Sequence, residues 1–317
     1  MQYIRGIESY SCGERSAVTL GKFDGLHRGH QKLVERVREY AKTEGVRSIV
    51  CAFDMLPLRE RMHMPGKVLM TKEERADHLE GKVDFLVDCP FTEKFSEMEA
   101  EDFIRDILAD TFHASYVVVG TDFHFGHGKK GDVRMLEKYQ EEYGYHLEVI
   151  EKERYGERVI SSSYIREALK EGDMSLAETL LGYPYSVTGI VEHGKQLGRT
   201  LGFPTINVAP PQEKLLPPNG VYLGQICMDG IWYNAIGNVG VKPTVTDSGR
   251  MLVESYLIGY SGDAYGKETK IRIRHFCRPE KKFADVQDMK NQVNADIAHA
   301  EAFFCGKGRI SGIEKAA

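Results

Sequence analysis

Two histidines three positions apart, His27 and His30, stand where a glycine-punctuated turn runs into a helix, in Val18-Thr-Leu-Gly-Lys-Phe-Asp-Gly-Leu-His-Arg-Gly-His30. The residues before the turn are short and apolar, as in a buried strand, and Leu33, Val34, Val37, Tyr40 and Ala41 follow at helical spacing. The stretch reads as strand, tight turn and helix. Three-residue spacing puts both imidazoles on one helix face, over main-chain amides that lack intrahelical partners and attract phosphate. Gly29 between them leaves the backbone open to a ligand. This chemistry suits attack on an α-phosphate, whereas a lone histidine would more simply satisfy a core carbonyl or meet solvent.

Other residues along the chain could serve phosphate or a flat ring. Thr121-Asp-Phe-His-Phe-Gly-His-Gly-Lys-Lys-Gly-Asp132 is basic, aromatic and glycine-rich after an apolar strand, so it can stack a ring and hold phosphate. His124 and His127 lack a further ligand at metal spacing. In Ile160-Ser-Ser-Ser-Tyr-Ile-Arg166, a serine at a helix start with Arg166 one turn in offers hydroxyls, amides and a guanidinium. Helix capping alone would also account for the serine. In Gly194-Lys-Gln-Leu-Gly-Arg-Thr-Leu-Gly-Phe-Pro-Thr-Ile-Asn-Val208, Gly194, Gly198 and Gly202 let backbone amides approach phosphates, with Lys195 and Arg199 supplying charge. Strand alternation puts Thr205 and Asn207 on one face and Ile206 and Val208 on the other. A neutral hydroxyl and amide side by side suit a magnesium-nucleotide better than an all-protein metal cage. No Gly-Lys-Ser/Thr runs into a helix here, so this is no Walker loop. Glu254 lies among apolar neighbours in a strand, where most glutamates are surface residues.

The elements that must position these residues fall into two textures. In the first half, strands near Val18, Arg47–Phe53, Val83–Val87, Tyr116–Gly120 and Glu148–Ile150 alternate with helices, which predicts an α/β domain with a parallel sheet. Thr71-Lys-Glu-Glu reads as a capping box, and Phe103, Ile104, Ile107 and Leu108 as one helix face. Asp54-Met-Leu-Pro-Leu58 leaves a strand at the edge where open α/β sheets bind ligands. From about residue 183 the texture turns β-branched, aromatic and glycine-punctuated. Strands at 185–192, 220–228, 231–238, 252–259 and 268–276 predict a small antiparallel barrel. A terminal helix carries Val286, Met289, Val293, Ile297, Ala300 and Phe304.

The bulk numbers limit the partners. The chain has 317 residues, room for two domains, and its 42 Lys and Arg against 47 Asp and Glu leave a net charge of −5, which gives no reason to expect nucleic acid. The N-terminus has no apolar signal core and no stretch approaches membrane-spanning length, so the expected location is the cytoplasm with no membrane partner. Six cysteines at 12, 51, 89, 227, 277 and 305 form no Cys-x-x-Cys pair and read as reduced packing residues.

The string Gly-x-Phe-Asp-Gly followed by His-x-Gly-His resembles the signature of the nucleotidylyltransferase superfamily, and Ser-Ser-x-x-Ile-Arg resembles the motif that closes its nucleotide site. The 194–208 string resembles the Gly-Arg-x-Leu-Gly-Phe-Pro-Thr-x-Asn signature of riboflavin kinases. Gly220-Val-Tyr, Gly237-Asn-Val-Gly-Val-Lys-Pro-Thr244, Tyr265-Gly-Lys and Phe276-Cys-Arg-Pro-Glu-Lys-Lys-Phe283 follow in that family's order. The two together resemble the bacterial bifunctional FAD synthetases.

That resemblance implies a Rossmann-like nucleotidylyltransferase domain over 1–182, a riboflavin kinase barrel with its helix over 183–306, and a tail over 307–317. It implies phosphorylation of riboflavin by ATP to FMN, then adenylylation of FMN to FAD with release of pyrophosphate, both with Mg²⁺. Gly21, Phe23, Asp24, Gly25, Gly29, Ser162 and Ser163 would bind ATP in the first half, with His27, His30 and Arg166 assisting transfer, and Asp122, Phe123 and Phe125 would face flavin. In the second half Gly194, Lys195, Gly198, Arg199, Gly202 and Pro204 would hold ATP, Thr205 and Asn207 the metal, Arg278 and Phe283 the flavin. Glu254 would take the proton of the ribityl 5′-hydroxyl.

Lys22 stands where the family commonly has Asn, Lys242 where it has Arg, Ser255-Tyr256 replaces the usual pair, and the Phe53–Pro57 loop departs from the usual proline-containing pattern. Two other readings stay open on the residues: a nucleotidylyltransferase of pantetheine-phosphate or cytidylyl type, and a flavin-binding regulator without turnover.

Overall fold

The computed structural model describes residues 1–63, 66–194, 198, 202–241, 251–306 and 313–315. The chain divides into two compact units, Met1–Ser162 and Ser163–Ala317. The change of sequence texture near 183 comes later, because helices Ser162–Lys170 and Met174–Leu181 precede the barrel strands.

The first unit is built on six parallel strands: β1 (Gln2–Arg5), β2 (Ser16–Gly21), β3 (Arg47–Asp54), β4 (Phe85–Pro90), β5 (Ala114–Gly120) and β6 (His146–Ile150), in the order β1-β4-β3-β2-β5-β6. The chain steps one way from β2 to β4, then returns to the other side of β2. That reversal opens a crevice beyond the carboxyl end of β2, where open α/β sheets take their ligands. The Gly21–His27 turn leaves from there. Parallel strands covered on both faces read as continuous apolar runs, and Ala17, Val18, Ile49, Val50, Val117 and Val118 are buried accordingly. The helix Arg28–Glu44 buries Leu33, Val34, Val37 and Tyr40 and stops at Gly45 with φ 64°.

Thr71 and Glu74 form the expected capping box on helix Lys72–Leu79. Helix Ala100–Asp102 continues into a wider π-helical segment, Phe103–Thr111, closed by Phe112 N–H on the Ile107 carbonyl at 3.0 Å. Phe103, Ile104, Ile107 and Leu108 all face the core. Strand β1 left no signal: four residues of mixed polarity at a sheet edge carry too little pattern to read. A short hairpin, β7 (Arg154–Tyr155) with β8 (Arg158–Val159), completes this unit.

In the second unit β9 (Ser186–Glu192), β10 (Thr205–Ala209), β11 (Gly220–Met228), β12 (Ile231–Val241), β13 (Met251–Leu257) and β14 (Glu268–Arg278) close an antiparallel barrel in the order β11-β14-β9-β10-β13-β12 and back to β11. Asp229 and Gly230, both at positive φ, make the tight β11–β12 turn. Helix Val286–Gly306 lies on β12, with Ala300 buried against Val221, Leu223 and Ile236. Within the stretch read as a tail, β15 (Ile313–Lys315) pairs antiparallel with β12.

Leu108 is fully buried in the first unit, so Leu108→Ala should remove about 3 kcal/mol from that unit's unfolding free energy. Chemical denaturation followed by circular dichroism checks this, and a loss under about 1 kcal/mol would contradict the packing.

Candidate active site

The Gly21–His27 turn is held from several sides. Gly25 has φ 89°, and Phe23 and Leu26 also take positive φ, a conformation that costs energy for residues with a Cβ. Asp24 Oδ1 accepts the Leu69 and Met70 amides at 2.8 and 3.3 Å. Ser162 Oγ donates to the Asp24 carbonyl at 2.8 Å, and Gln31 Nε2 to the Leu26 carbonyl at 2.8 Å. The Asp24 carboxylate is therefore a brace, turned to amides, and Ser162 also fastens the turn. A methyl at Gly21 would make ordinary contact with the Phe23 ring, at 3.5 Å.

His27 is the N-cap of helix Arg28–Glu44, its Nδ1 accepting the His30 amide at 3.4 Å. The rings of His27 and His30 stack with centroids 3.7 Å apart and planes 17° from parallel, and Phe23 meets His30 edge-on. Gly29 makes room, since a Cβ there would sit 3.3 Å from His27 Nδ1. Burial pushes the His27 imidazolium down to about 4, against the weaker pull of Asp24. His30 is lowered well below its usual value by burial, then by His27 and Arg75. Both imidazoles are thus neutral at pH 7. With Nδ1 accepting, the His27 proton sits on Nε2, a donor suited to a phosphate oxygen. Glu153 accepts from Arg28 at 2.6 Å and also pairs with Lys32 on the same helix.

Ser163 and Arg166 continue the helix that Ser162 begins, with Arg166 half-buried. Phe125 is buried, packed on Phe103 at 5.0 Å and stacked with half-buried Phe123 at 5.6 Å. Phe95, Phe53 and Phe91 continue the aromatic chain. Asp122 pairs with Lys152 at 2.8 Å. The ring nitrogens of His124 and His127 hydrogen-bond the Asp122 and Ser96 carbonyls at 2.9 and 3.3 Å.

In the second unit Glu254 Oε1 accepts from Thr205 Oγ1 at 2.7 Å across the β10–β13 ladder, and Asn207 stands opposite Glu254 in register. Strand alternation exposes Glu254 and buries Val253 and Ser255 on the other face. A methyl at Gly194 would strike Asn207 Nδ2 at 2.2 Å, and one at Gly198 the Phe203 carbonyl at 2.3 Å, so glycine brings that backbone close to both polar groups. Gly202 has φ 89°, and Pro204 is exposed. Lys195, Arg199 and Lys242 lie outside the described residues.

A cavity of about 650 Å³ opens beside this group, lined among others by Thr205, Glu254, Asn238, Arg278 and Phe283. Arg278 is clamped bidentately by Asp296 of the terminal helix, at 2.7 Å for its shortest contact. The guanidinium therefore shapes the wall, and Phe283 lies half-buried with the Lys281 ammonium 5.2 Å from its ring centre. Two polar residues of the cavity wall, Asn238 and Glu280, carry no signal of their own in the sequence. Asn238, the cross-strand neighbour of Glu254 on β12, donates to Glu280 Oε1 at 2.7 Å. Both sit in strings already quoted from the sequence, but an amide in a strand has no spacing that sets it apart. Asp296 was equally silent on the polar face of a helix.

An FAD synthetase family description matches residues 10–164, and a riboflavin kinase description matches residues 181–304. A protein of Escherichia coli strain K12 named bifunctional riboflavin kinase/FMN adenylyltransferase is 34% identical over 314 residues, covering 96% of this chain and 98% of that protein. The chain belongs to this bifunctional family. A Pseudomonas fluorescens member of the same name is 35% identical over 306 residues, covering 95% and 97%. Among solved structures, a Streptococcus pneumoniae protein described as a macrolide-efflux protein is 26% identical with a TM-score of 0.84, covering 95% of this chain and 99% of that one. That description belongs to the S. pneumoniae protein. Among the described residues of this family member, no helix is long and apolar enough to cross a membrane.

The depressed His27 value carries a stability consequence. Its unfolded imidazole titrates near 6.5 and its folded one near 4, so the unfolded state binds more protons between those values. Stability present above pH 6.5 should decline as the pH falls towards 4. His27→Asn should flatten that decline in denaturant midpoints measured from pH 7 to pH 4, and an unchanged slope would contradict the burial of a neutral ring.

Proposed function

We propose that this chain phosphorylates riboflavin with ATP to give FMN and ADP, using residues 183–306, and adenylylates FMN with a second ATP to give FAD and pyrophosphate, using residues 1–182. The observation that carries the reading is that each half has its own phosphate-compatible geometry beside a polar group of the right kind. One is a pair of neutral imidazoles at a helix N-terminus, the other a threonine-held carboxylate in a barrel wall.

In the kinase half, Glu254 accepts the ribityl 5′-hydroxyl proton as that oxygen attacks the γ-phosphorus. The Thr205 hydroxyl fixes the carboxylate rotamer, and its lone pairs stay free. Neutral oxygens at Thr205 and Asn207, with no cluster of three His, Cys, Asp or Glu among the described residues, suit a metal that arrives with the nucleotide rather than a resident one. Thr205 and Asn207 would hold that Mg²⁺, which offsets charge on the transferring phosphates. Gly194, Gly198 and Gly202, with Lys195, Arg199 and Pro204, form the proposed ATP loop, and Phe283 offers a flat apolar face to the flavin.

In the adenylyltransferase half the FMN phosphate is already an oxyanion, so its attack on the α-phosphorus needs no base. His27 and His30 donate from neutral rings to phosphate oxygens, and the family resemblance adds Ser163 and Arg166 as further donors. Their work is orientation and stabilisation of developing charge. Phe123, backed by Phe125, is the proposed flavin-facing ring. Dependence on ATP at both steps supports a cytoplasmic location.

Separate sites can be disabled separately. Glu254→Gln should lower FMN formation by about 10²- to 10⁴-fold and leave FAD formation from added FMN within twofold of wild type. His30→Ala should do the reverse, with a loss of about 10²-fold. Chromatography of the flavins after incubation with ATP and Mg²⁺ reads both, and equal loss of the two activities in either folded variant would contradict the assignment.

A further inference from the structure

A chain of buried charges lies behind the Gly21–His27 turn. Arg75 and Asp88, 5% and 3% exposed, meet at 2.5 Å. The other Asp88 oxygen lies 3.5 Å from the Lys72 ammonium, which also pairs with buried Asp54 at 2.8 Å, and it accepts from the Tyr3 hydroxyl at 3.4 Å. Asp54 in turn accepts the Leu56 amide at 3.0 Å, fixing the start of helix Leu56–Arg61. At the other end, Arg75 Nη1 donates to the Lys22 carbonyl at 3.5 Å, inside the turn itself. Its buried Nε–H has no hydrogen-bond partner among the described residues.

Three of these charges, Asp54, Arg75 and Asp88, are buried, with Lys72 partly exposed; burying charge is costly, and a buried pair usually contributes less stability than apolar residues of the same shape. Fold stability alone therefore gives a weak reason for this chain of charges. Its placement gives a better one. The cation stands behind a turn whose Phe23 and Leu26 hold unfavourable positive φ, so something must fix that shape, and Arg75 reaches the Lys22 carbonyl inside it. The same charge helps keep His30 unprotonated.

We infer that Arg75, locked by Asp88, is a positioning residue for nucleotidyl transfer: it holds the Lys22 carbonyl, and with it the His27–His30 pair, in the geometry that receives the α-phosphate. This rests on the adenylyltransferase reading of the first half. The network also joins that turn to the start of helix Leu56–Arg61 after β3.

The test separates a positioning role from a structural one. Arg75→Met alone leaves buried Asp88 with only the longer 3.5 Å Lys72 contact, so the informative variant is the double Arg75→Met/Asp88→Leu, which replaces the pair by apolar residues and should keep the melting temperature within a few degrees of wild type. FAD formation from FMN should nevertheless fall about 10²-fold in kcat/KM for ATP, with riboflavin phosphorylation by the same chain unchanged. Recovery of FAD formation to within about threefold of wild type would overturn the inference, because the pair would then serve folding only. Arg75→Lys gives an independent check that does not depend on the double variant. It keeps a cation for Asp88 but cannot span to the Lys22 carbonyl as the planar fork does, so about a tenfold loss is expected, and full activity would overturn the proposal. Wild-type protein that makes no FAD from FMN and ATP would instead remove the reading on which the inference rests.

Discussion

Everything in the first unit depends on how a chain leaves the carboxyl end of a central parallel strand and starts a helix without filling the space between them. The main-chain amides at a helix start are unpaired, and here they are capped by an imidazole nitrogen instead of a carboxylate or hydroxyl. A carboxylate in that place would repel phosphate. An imidazole kept neutral by burial occupies the cap, leaves its far N–H for a ligand, and brings no charge of its own. The cost is a turn with two non-glycine residues at positive φ, and the ties from Asp24, Ser162, Gln31 and Arg75 hold it in place.

The second unit meets the same demand with different means. Glycines at 194 and 198 bring backbone against Asn207 and Thr205, and the antiparallel ladder sets Thr205, Asn207 and Glu254 side by side through register alone. A slip of one residue would turn Glu254 into the barrel and Ser255 out. The carboxylate needs a rigid wall more than a tuned environment, and closure of the barrel provides it by removing free strand edges.

Much of this was legible in the sequence because it is written in local spacing. The strand-turn-helix at 18–44, the capping box at Thr71 and the regular strand intervals after 183 all follow from periodicity and turn chemistry. The family signatures named the residues around His27 and Glu254. Long-range partners were not legible. Asp296 on Arg278, Glu280 on Asn238 and Asp88 on Arg75 join residues whose separation carries no pattern, and each partner looks like an ordinary surface charge until the fold closes. Asp24 shows the same limit from the other side: a motif position suggests a ligand contact, while the structure turns its carboxylate onto Leu69 and Met70. β1 was missed because a short edge strand need not alternate.

The account's central claim is that one polypeptide carries two complete and separate phosphate chemistries acting in series. The most direct measurement is a time course with riboflavin as the sole flavin, excess ATP and Mg²⁺, resolving flavins by chromatography and quantifying ADP and pyrophosphate. The account predicts FMN rising and then giving way to FAD, with one ADP and one pyrophosphate released for each FAD formed. Riboflavin left unchanged, or FMN accumulating without pyrophosphate, would contradict it.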